Sequence, residues 1–427
     1  MRIALWLLAL FAVAVAAALF AGSNPGSITL FWPPYRIDLS LNLALLLLLG
    51  AFLTLHLALR GLAAFLAIPR AARLWRLRQR ERSMQLALLD AFSQLVAGRF
   101  VRARKAAESV LVQVRSLESG GDKLAYAARL RAVSHLLVAE AAHALQDRSA
   151  RGQHYQTALE QASKGKGVAP ETREGVQLRA ARWALDDHDA PLALQLLDEM
   201  GQGAARRTLA LRLRLKAARM ARRTLAALET ARLLAKHRAM SETAAHGVLR
   251  GLAIELIEGA HDPAQLQKAW AQLDPGERVM PDVAIQAADR LLVLGGDHVL
   301  GRQWLLPVWD RMQERADALS QQQCVNLVRA LERGFASVAG APDVDWLTRI
   351  ESAQLKNPGD AVLQYLAGVT CMRLQLWGKA RQLLTQSLTR LQDTGLRRDA
   401  WRLLAELAQQ HGDAAAATQA WRNAAQA

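Results

Sequence analysis

Cysteine is nearly absent. Cys324 and Cys371 are the only two in 427 residues, which excludes a disulfide scaffold and any multi-cysteine zinc or iron–sulfur centre. The glycine-rich phosphate loop GxxxxGK[ST], the HExxH metalloprotease motif and the CxxCH haem attachment motif are all missing. Gly165-Lys166-Gly167 and Gly201-Gln202-Gly203 lack the third glycine and the preceding strand of a dinucleotide fingerprint. The ten histidines are scattered. His135 and His143 are eight apart and His237 and His246 nine apart, too wide for one metal site on a helix. No catalytic residue and no metal ligand is assigned, and the chain reads as a non-enzyme.

Acid is scarce relative to base: 38 Asp+Glu against 54 Lys+Arg, a net charge of +16. Such a balance raises nucleic acid as a partner. No nucleic-acid module accompanies it, and seven of the arginines belong to one short flank between residues 60 and 82, so nucleic acid is not expected.

Charge is missing altogether from two stretches near the start. Ile3–Tyr35 and Leu39–Leu59 contain no Asp, Glu, Lys or Arg. Each holds an apolar run close to the ~20 residues that cross ~30 Å of hydrocarbon as a helix. Transmembrane helices are expected at about 3–21 and 40–60. A cleaved signal peptide would account for the first run alone, and the second would still anchor the chain. Between them lies a short connector, 22–39, in which Trp32 and Tyr35 flank Pro33-Pro34 and suit the headgroup region. Beyond the second run come Arg60, Arg70, Arg73, Arg76, Arg78, Arg80 and Arg82, with Glu81 the one acid from 60 to 82. The positive-inside rule puts this flank, residues 61–82, in the cytoplasm, with Arg70, Arg73 and Arg76 near the lipid surface. His56 lies within the second run and is a weak candidate ligand on the ground that intramembrane ionisable groups are costly.

From Ser83 to the end, strand-like Val/Ile alternation is scarce and good helix formers dominate. Short turns recur between helical stretches, with glycine at Gly98-Arg99-Phe100, Gly295-Gly296-Asp297 and Gly412-Asp413-Ala414 and without it at His188-Asp189-Ala190. Small residues recur twelve apart across them: Gly368 with Ala380, Ala405 with Ala417, Ala181 with Ala193. This resembles the tetratricopeptide (TPR) repeat, with Leu215 departing from the pattern twelve before Ala227. The frames at 380 and 417 are 37 apart, close to the ~34-residue period. A single helix pair cannot bury its apolar face, so pairs stack into a solenoid whose face binds partners. In this frame Arg182, Arg212, Lys216 and Arg219 share one side and form a candidate basic groove for an acidic segment or an anionic ligand. An ordinary solvated charged face remains the alternative. Cys324 and Cys371, with Trp377, Trp401 and Trp421, are read as core.

The run Asn24-Pro25-Gly26, Leu30-Phe31-Trp32-Pro33-Pro34-Tyr35-Arg36-Ile37 and Leu39-Ser40-Leu41-Asn42-Leu43 resembles the N-terminal region of the proteobacterial HemY family. Gly98-Arg99-Phe100 with Ala103 through Glu108 resembles the start of that family's soluble part. The resemblance implies a bacterial inner-membrane protein, multi-pass, with a cytoplasmic TPR domain implicated in late haem (protoporphyrin) biosynthesis. It defines no catalytic residue. The flavin-dependent protoporphyrinogen oxidase of the same name is unrelated, and its dinucleotide fingerprint is absent here.

The expected organisation is all-α: two transmembrane helices in 1–60, a basic juxtamembrane segment at 61–82, and a TPR-like helical repeat domain over 83–427. The expected function is a membrane-anchored scaffold that organises haem-pathway enzymes or handles a porphyrin intermediate. The alternatives are an adaptor for secretion or cell-wall assembly, and a haem or porphyrin carrier. The expected partners are the lipid bilayer and proteins, late haem-biosynthesis enzymes among them. No cofactor is predicted, with haem left open.

Overall fold

A computed structural model describes residues 2–22, 26–120, 124–164, 170–315, 318–335 and 344–427. The chain divides into two compact units, the first reaching Gln161 and the second running from Ala162 to Ala427 apart from a short exchange at the boundary.

The first unit begins with the apolar helix α1 (Arg2–Gly22). A hairpin of β1 (Ser27–Trp32) and β2 (Tyr35–Ser40) comes next, an exception to the all-helical expectation. The strands pair antiparallel from Ser27↔Ser40 to Trp32↔Tyr35. Aromatic and β-branched residues favour this pairing, and the Pro33-Pro34 pair forms the turn. The Arg36 guanidinium sits 5.4 Å from the ring centre of its cross-strand partner Phe31.

Ser40 then caps α2 (Leu41–Val96), its Oγ accepting from the Leu43 N–H at 3.3 Å. The expected boundary at 60/61 is not a structural break. Hydropathy changes there, but Leu and Ala before the boundary and Leu, Ala, Arg and Gln after it are all good helix formers, so the backbone continues as one helix of 56 residues, roughly 84 Å long. Helices α3 (Phe100–Ser119), α4 (Ala127–Ala144) and α5 (Arg148–Lys164) complete the unit.

The second unit is helical throughout its described residues. It opens with α6 (Pro170–Asp186), α7 (Ala190–Asp198), the one-turn α8 (Gln202–Ala205), α9 (Thr208–Met220) and α10 (Thr224–Lys236). Next come α11 (Glu242–Glu258), α12 (Pro263–Gln272), α13 (Pro275–Arg278), α14 (Pro281–Val293) and α15 (His298–Glu314). The last are α16 (Gln321–Phe335), α17 (Val344–Lys356), α18 (Ala361–Arg373), α19 (Trp377–Leu388), α20 (Thr394–Gln410) and α21 (Ala414–Gln426).

One turn is used again and again in both units. Gly98, Gln146, His188, Arg222, Arg238, Gly295, Gln375 and Gly412 have positive φ of 52° to 76°. Each closes a helix with the same two bonds. Its own N–H reaches the carbonyl three residues back at 3.0–3.2 Å, and the next N–H reaches the carbonyl five back at 2.8–2.9 Å. This is the Schellman ending, which satisfies carbonyls that the helix leaves open and reverses the chain. Asp147, Asp189 and Asp413 stand directly after the left-handed residue, and each accepts the N–H three residues on at 3.0 Å, starting the return helix.

Five residues beyond the left-handed position stand Ala103, Ala193, Ala227, Ala380 and Ala417, none more than 3% exposed. Twelve before them are Ala91, Ala181, Leu215, Gly368 and Ala405. Three of these, Ala91, Ala181 and Ala405, have no exposed surface. The crossing is tight at Gly368: a Cβ there would lie 2.8 Å from Leu384 Cγ and 3.3 Å from the Leu384 nitrogen. Helices meet closely where side chains are small, and the repeated turn sets the register of that meeting. The result is a TPR-like array of helix pairs, read from its own backbone.

Apolar burial is greatest around α14 to α20, where Trp309 packs edge-on against Trp346 with ring centres 5.7 Å apart. Cys371 is fully buried and Cys324 half-buried. Burial pushes both thiols above their usual range. Trp377 and Trp401 are half-buried, whereas Trp421 is exposed and is not core. The buried stripe of α21 is Ala417, Ala420 and Ala424, and Trp421 lies one residue around the helix from it.

Candidate functional site

Helix α9 lies in a basic run free of acid. From Arg206 to Arg223 there are eight cations and no acid. Its buried face is Ala210, Leu211, Ala217 and Ala218. The 3.6-residue period therefore places Arg212, Lys216 and Arg219, at i, i+4 and i+7, together on another face. Three residues further, Arg222 occupies the left-handed turn to α10 with φ 52°.

These four cations line one open cavity of about 720 Å³, together with Leu215, Leu234, Met240 and Glu255. Leu215 stands where the other helix pairs have a small crossing residue, and so the departure from the repeat pattern lies in the wall of this groove. Leu234 and Met240 extend the apolar surface from the α10 side. The cavity falls in the usual range for ligand pockets, ~300–1,000 Å³.

The cations differ in how far they are already engaged. Arg212 donates from Nη2 to the Ala239 carbonyl at 2.8 Å, which leaves most of its five N–H groups unspent. Lys216 Nζ is a loose 3.9 Å from Asp186 Oδ1. Among the described residues, Arg219 and Arg222 make no side-chain hydrogen bond or ion pair, and both are exposed. Glu255, the one acid of the wall, accepts from Thr224 Oγ1 at 3.1 Å. Neighbouring arginines point elsewhere: Arg207 pairs with Glu174 at 2.7 Å and Arg214 with Asp198 at 2.6 Å.

Arg182 is not among the lining residues. Its Nε lies 3.9 Å from Asp186 Oδ2, so Asp186 stands between it and Lys216 and neutralises part of both. Sequence reasoning missed Arg222, Met240 and Glu255. Arg222 was within reach of it, being 34 residues after His188, the left-handed residue of an earlier helix pair.

The other candidate residues lie apart from this groove. Trp32 and Tyr35 face each other across the hairpin tip, each 70% exposed. Arg76 is exposed on α2, its Nε donating to the Ala72 carbonyl at 3.3 Å. Arg70 and Arg73 lie in the same helix, with side chains outside the described residues. His56 is exposed on α2, stacked on Phe52 with ring centres 6.3 Å apart. Among the described residues no group of three or more His, Cys, Asp or Glu is placed to hold a metal. A haem needs an axial ligand over an apolar slot. The groove wall has no histidine or cysteine, and His411 lines a cavity of only about 170 Å³. The groove does not fit haem.

A histidine pair was not foreseen. His135 on α4 and His154 on α5 share a hydrogen bond, Nδ1 to Nδ1, of 2.9 Å. Burial, then the neighbouring His154, Arg115 and Arg131, pushes His135 down to about 4. His143, eight residues on, instead meets Arg151 Nη1 at 2.8 Å.

Residues 26–146 match the family described as HemY protein N-terminus. This stretch is similar to a HemY N-terminal domain. It covers the β-hairpin, α2, α3 and α4, and closes on the left-handed turn at Gln146. The chain matches no curated protein in sequence. Solved structures with similar helical arrays include the APC/C hetero-tetramer Cut9-Hcn1, at 16% identity and TM-score 0.28, covering 80% of this chain and 66% of that one. Naa15/Naa10 bound to HypK-THB gives 12% identity and TM-score 0.23 over 79% of this chain and 58% of that one. The P58(IPK) TPR domain gives 12% identity and TM-score 0.22 over 77% and 99%. The chain spans less than two thirds of the first two, and superpositions this loose carry nothing about the groove.

Proposed function

We propose that the chain is a membrane-anchored TPR-type scaffold of the HemY family, acting in late haem (protoporphyrin) biosynthesis by holding pathway proteins at the cytoplasmic face of the bacterial inner membrane. The observation that carries this reading is the match to a HemY N-terminal domain, within which one unbroken helix runs on from an apolar segment, in a chain that continues as an array of helix pairs. Among the described residues, Leu41–Ala63 is long and apolar enough to cross a bilayer by length and composition. The arginine-rich continuation of α2 supports a cytoplasmic location for the helices from α3 onward. In this reading α1 is a second crossing and the exposed Trp32–Tyr35 tip sits at the opposite interface. Anchoring confines bound proteins near the membrane and raises their effective concentration, which matters more for consecutive reactions than tight binding does.

Affinity capture of the full-length protein from mild-detergent membranes tests the reading, with a control lacking residues 83–427. The expected result is enrichment of ferrochelatase or another late haem enzyme that depends on the helical region. Recovery of secretion or cell-wall proteins alone would overturn the haem assignment.

A further inference from the structure

We propose that the groove between α9, α10 and α11 binds an acidic, extended segment of a partner protein, with carboxylates two or three residues apart and an apolar residue nearby. This rests on the docking-scaffold reading and names the chemistry of the docked segment. Three observations carry it.

The first is charge complementarity left open. Arg219 and Arg222 are exposed and unpaired among the described residues, and Arg212 and Lys216 are only partly engaged, while the nearby Arg207 and Arg214 already have carboxylates. The second is spacing. Seven residues of helix spread the Arg212, Lys216 and Arg219 positions over about 10 Å of axis. In an extended chain, residues two and three apart lie about 7 and 10 Å apart, so two carboxylates can each face a cation. An inorganic anion would reach one end only. The third is the apolar wall of Leu215, Leu234 and Met240, which offers a side chain something to bury beside the charges. Arg222 is also fixed in place: the turn that carries it is closed by its own N–H on the Arg219 carbonyl at 3.1 Å and by the Arg223 N–H on the Ala218 carbonyl at 2.9 Å.

The test uses the full-length protein in detergent micelles and a fluorescein-labelled octapeptide alternating glutamate and leucine, read by anisotropy. Saturable binding is expected, and it weakens as salt shortens the screening length from about 10 Å at 0.1 M to about 3 Å at 1 M. Arg219→Ala/Arg222→Ala weakens it about tenfold. Because both side chains are exposed, the double variant keeps its helical circular dichroism. Arg397→Ala/Arg398→Ala, an exposed pair on α20, leaves affinity unchanged. The proposal is overturned if the glutamine version binds equally well, if the α9 double variant binds as wild type does, or if inorganic phosphate alone competes as strongly as the peptide. Capture from membranes separates the two levels. Partners retained by Arg219→Ala/Arg222→Ala sink the groove and leave the scaffold standing, while partners absent from wild type sink the scaffold itself.

Discussion

Replacing Gly368 with alanine sets two effects against each other. In a helix interior, glycine to alanine gains about 1 kcal/mol from the backbone alone. At Gly368 the added Cβ would meet Leu384 Cγ at 2.8 Å, Cδ2 at 2.9 Å and the Leu384 backbone nitrogen at 3.3 Å. Leu384 is itself fully buried, so it has no free volume to swing into, and its nitrogen is held in α19. Overpacking of this kind costs about 1–3 kcal/mol. The net expectation is a loss of about 1 kcal/mol. Gly251→Ala in α11 is the matched control: nothing lies within 4 Å of its Cβ position, so only the helix gain of up to ~1 kcal/mol remains. The assay is urea unfolding of the purified protein followed by circular dichroism, comparing midpoints at constant slope. Opposite shifts for the two variants are expected. A rise in midpoint for Gly368→Ala would refute the close helix crossing on which the repeat assignment rests.

Arg232 holds the buried Glu277 with two bonds, at 2.9 and 2.6 Å, so Arg232→Ala strands a carboxylate and should cost about 3 kcal/mol in the same unfolding assay; a cost under ~1 kcal/mol would contradict this. His135 is held neutral down to about 4 in the folded protein but takes a proton near 6.5 when unfolded, so stability should fall as pH drops from about 6.5 towards 4, by roughly 2 kcal/mol. His135→Phe should flatten that dependence in pH-resolved thermal unfolding, and an unchanged profile would exclude the pair as its source. Left-handed turns penalise a Cβ by about 1 kcal/mol, so Gly412→Ala should lower stability while His188→Gly should raise it by a few tenths to ~1 kcal/mol. Equal effects of one sign would show that these turns do not share the conformation.

The helix pairs at Ala181/Ala193, Gly368/Ala380 and Ala405/Ala417 were legible in the sequence, because a close crossing demands a small residue and little else substitutes for one. The turns at Gln146 and Gln375 were not, since glutamine in the left-handed region carries no mark of its conformation. The hairpin 27–40 was hidden because its residues read only as a short connector between two apolar runs, broken by Pro33-Pro34. The unbroken α2 was hidden for the opposite reason: composition changes at residue 60 while helix propensity does not. In the groove, Arg212, Lys216 and Arg219 can be grouped by helical period alone. The exclusion of Arg182 and the inclusion of Arg222 depend on where Asp186 and the α9–α10 turn fall in space.

A photo-crosslinking amino acid placed at Leu215, in the wall of the groove, tests the central claim most directly when the full-length protein is irradiated in its native membrane. The same group at Leu355, 76% exposed on α17, serves as the reference. The account predicts a covalent adduct from position 215, absent from position 355, whose partner is a protein of late haem biosynthesis joined through an acidic segment. Adducts of equal yield from both positions, or adducts from position 215 only to proteins of secretion or cell-wall assembly, would contradict it.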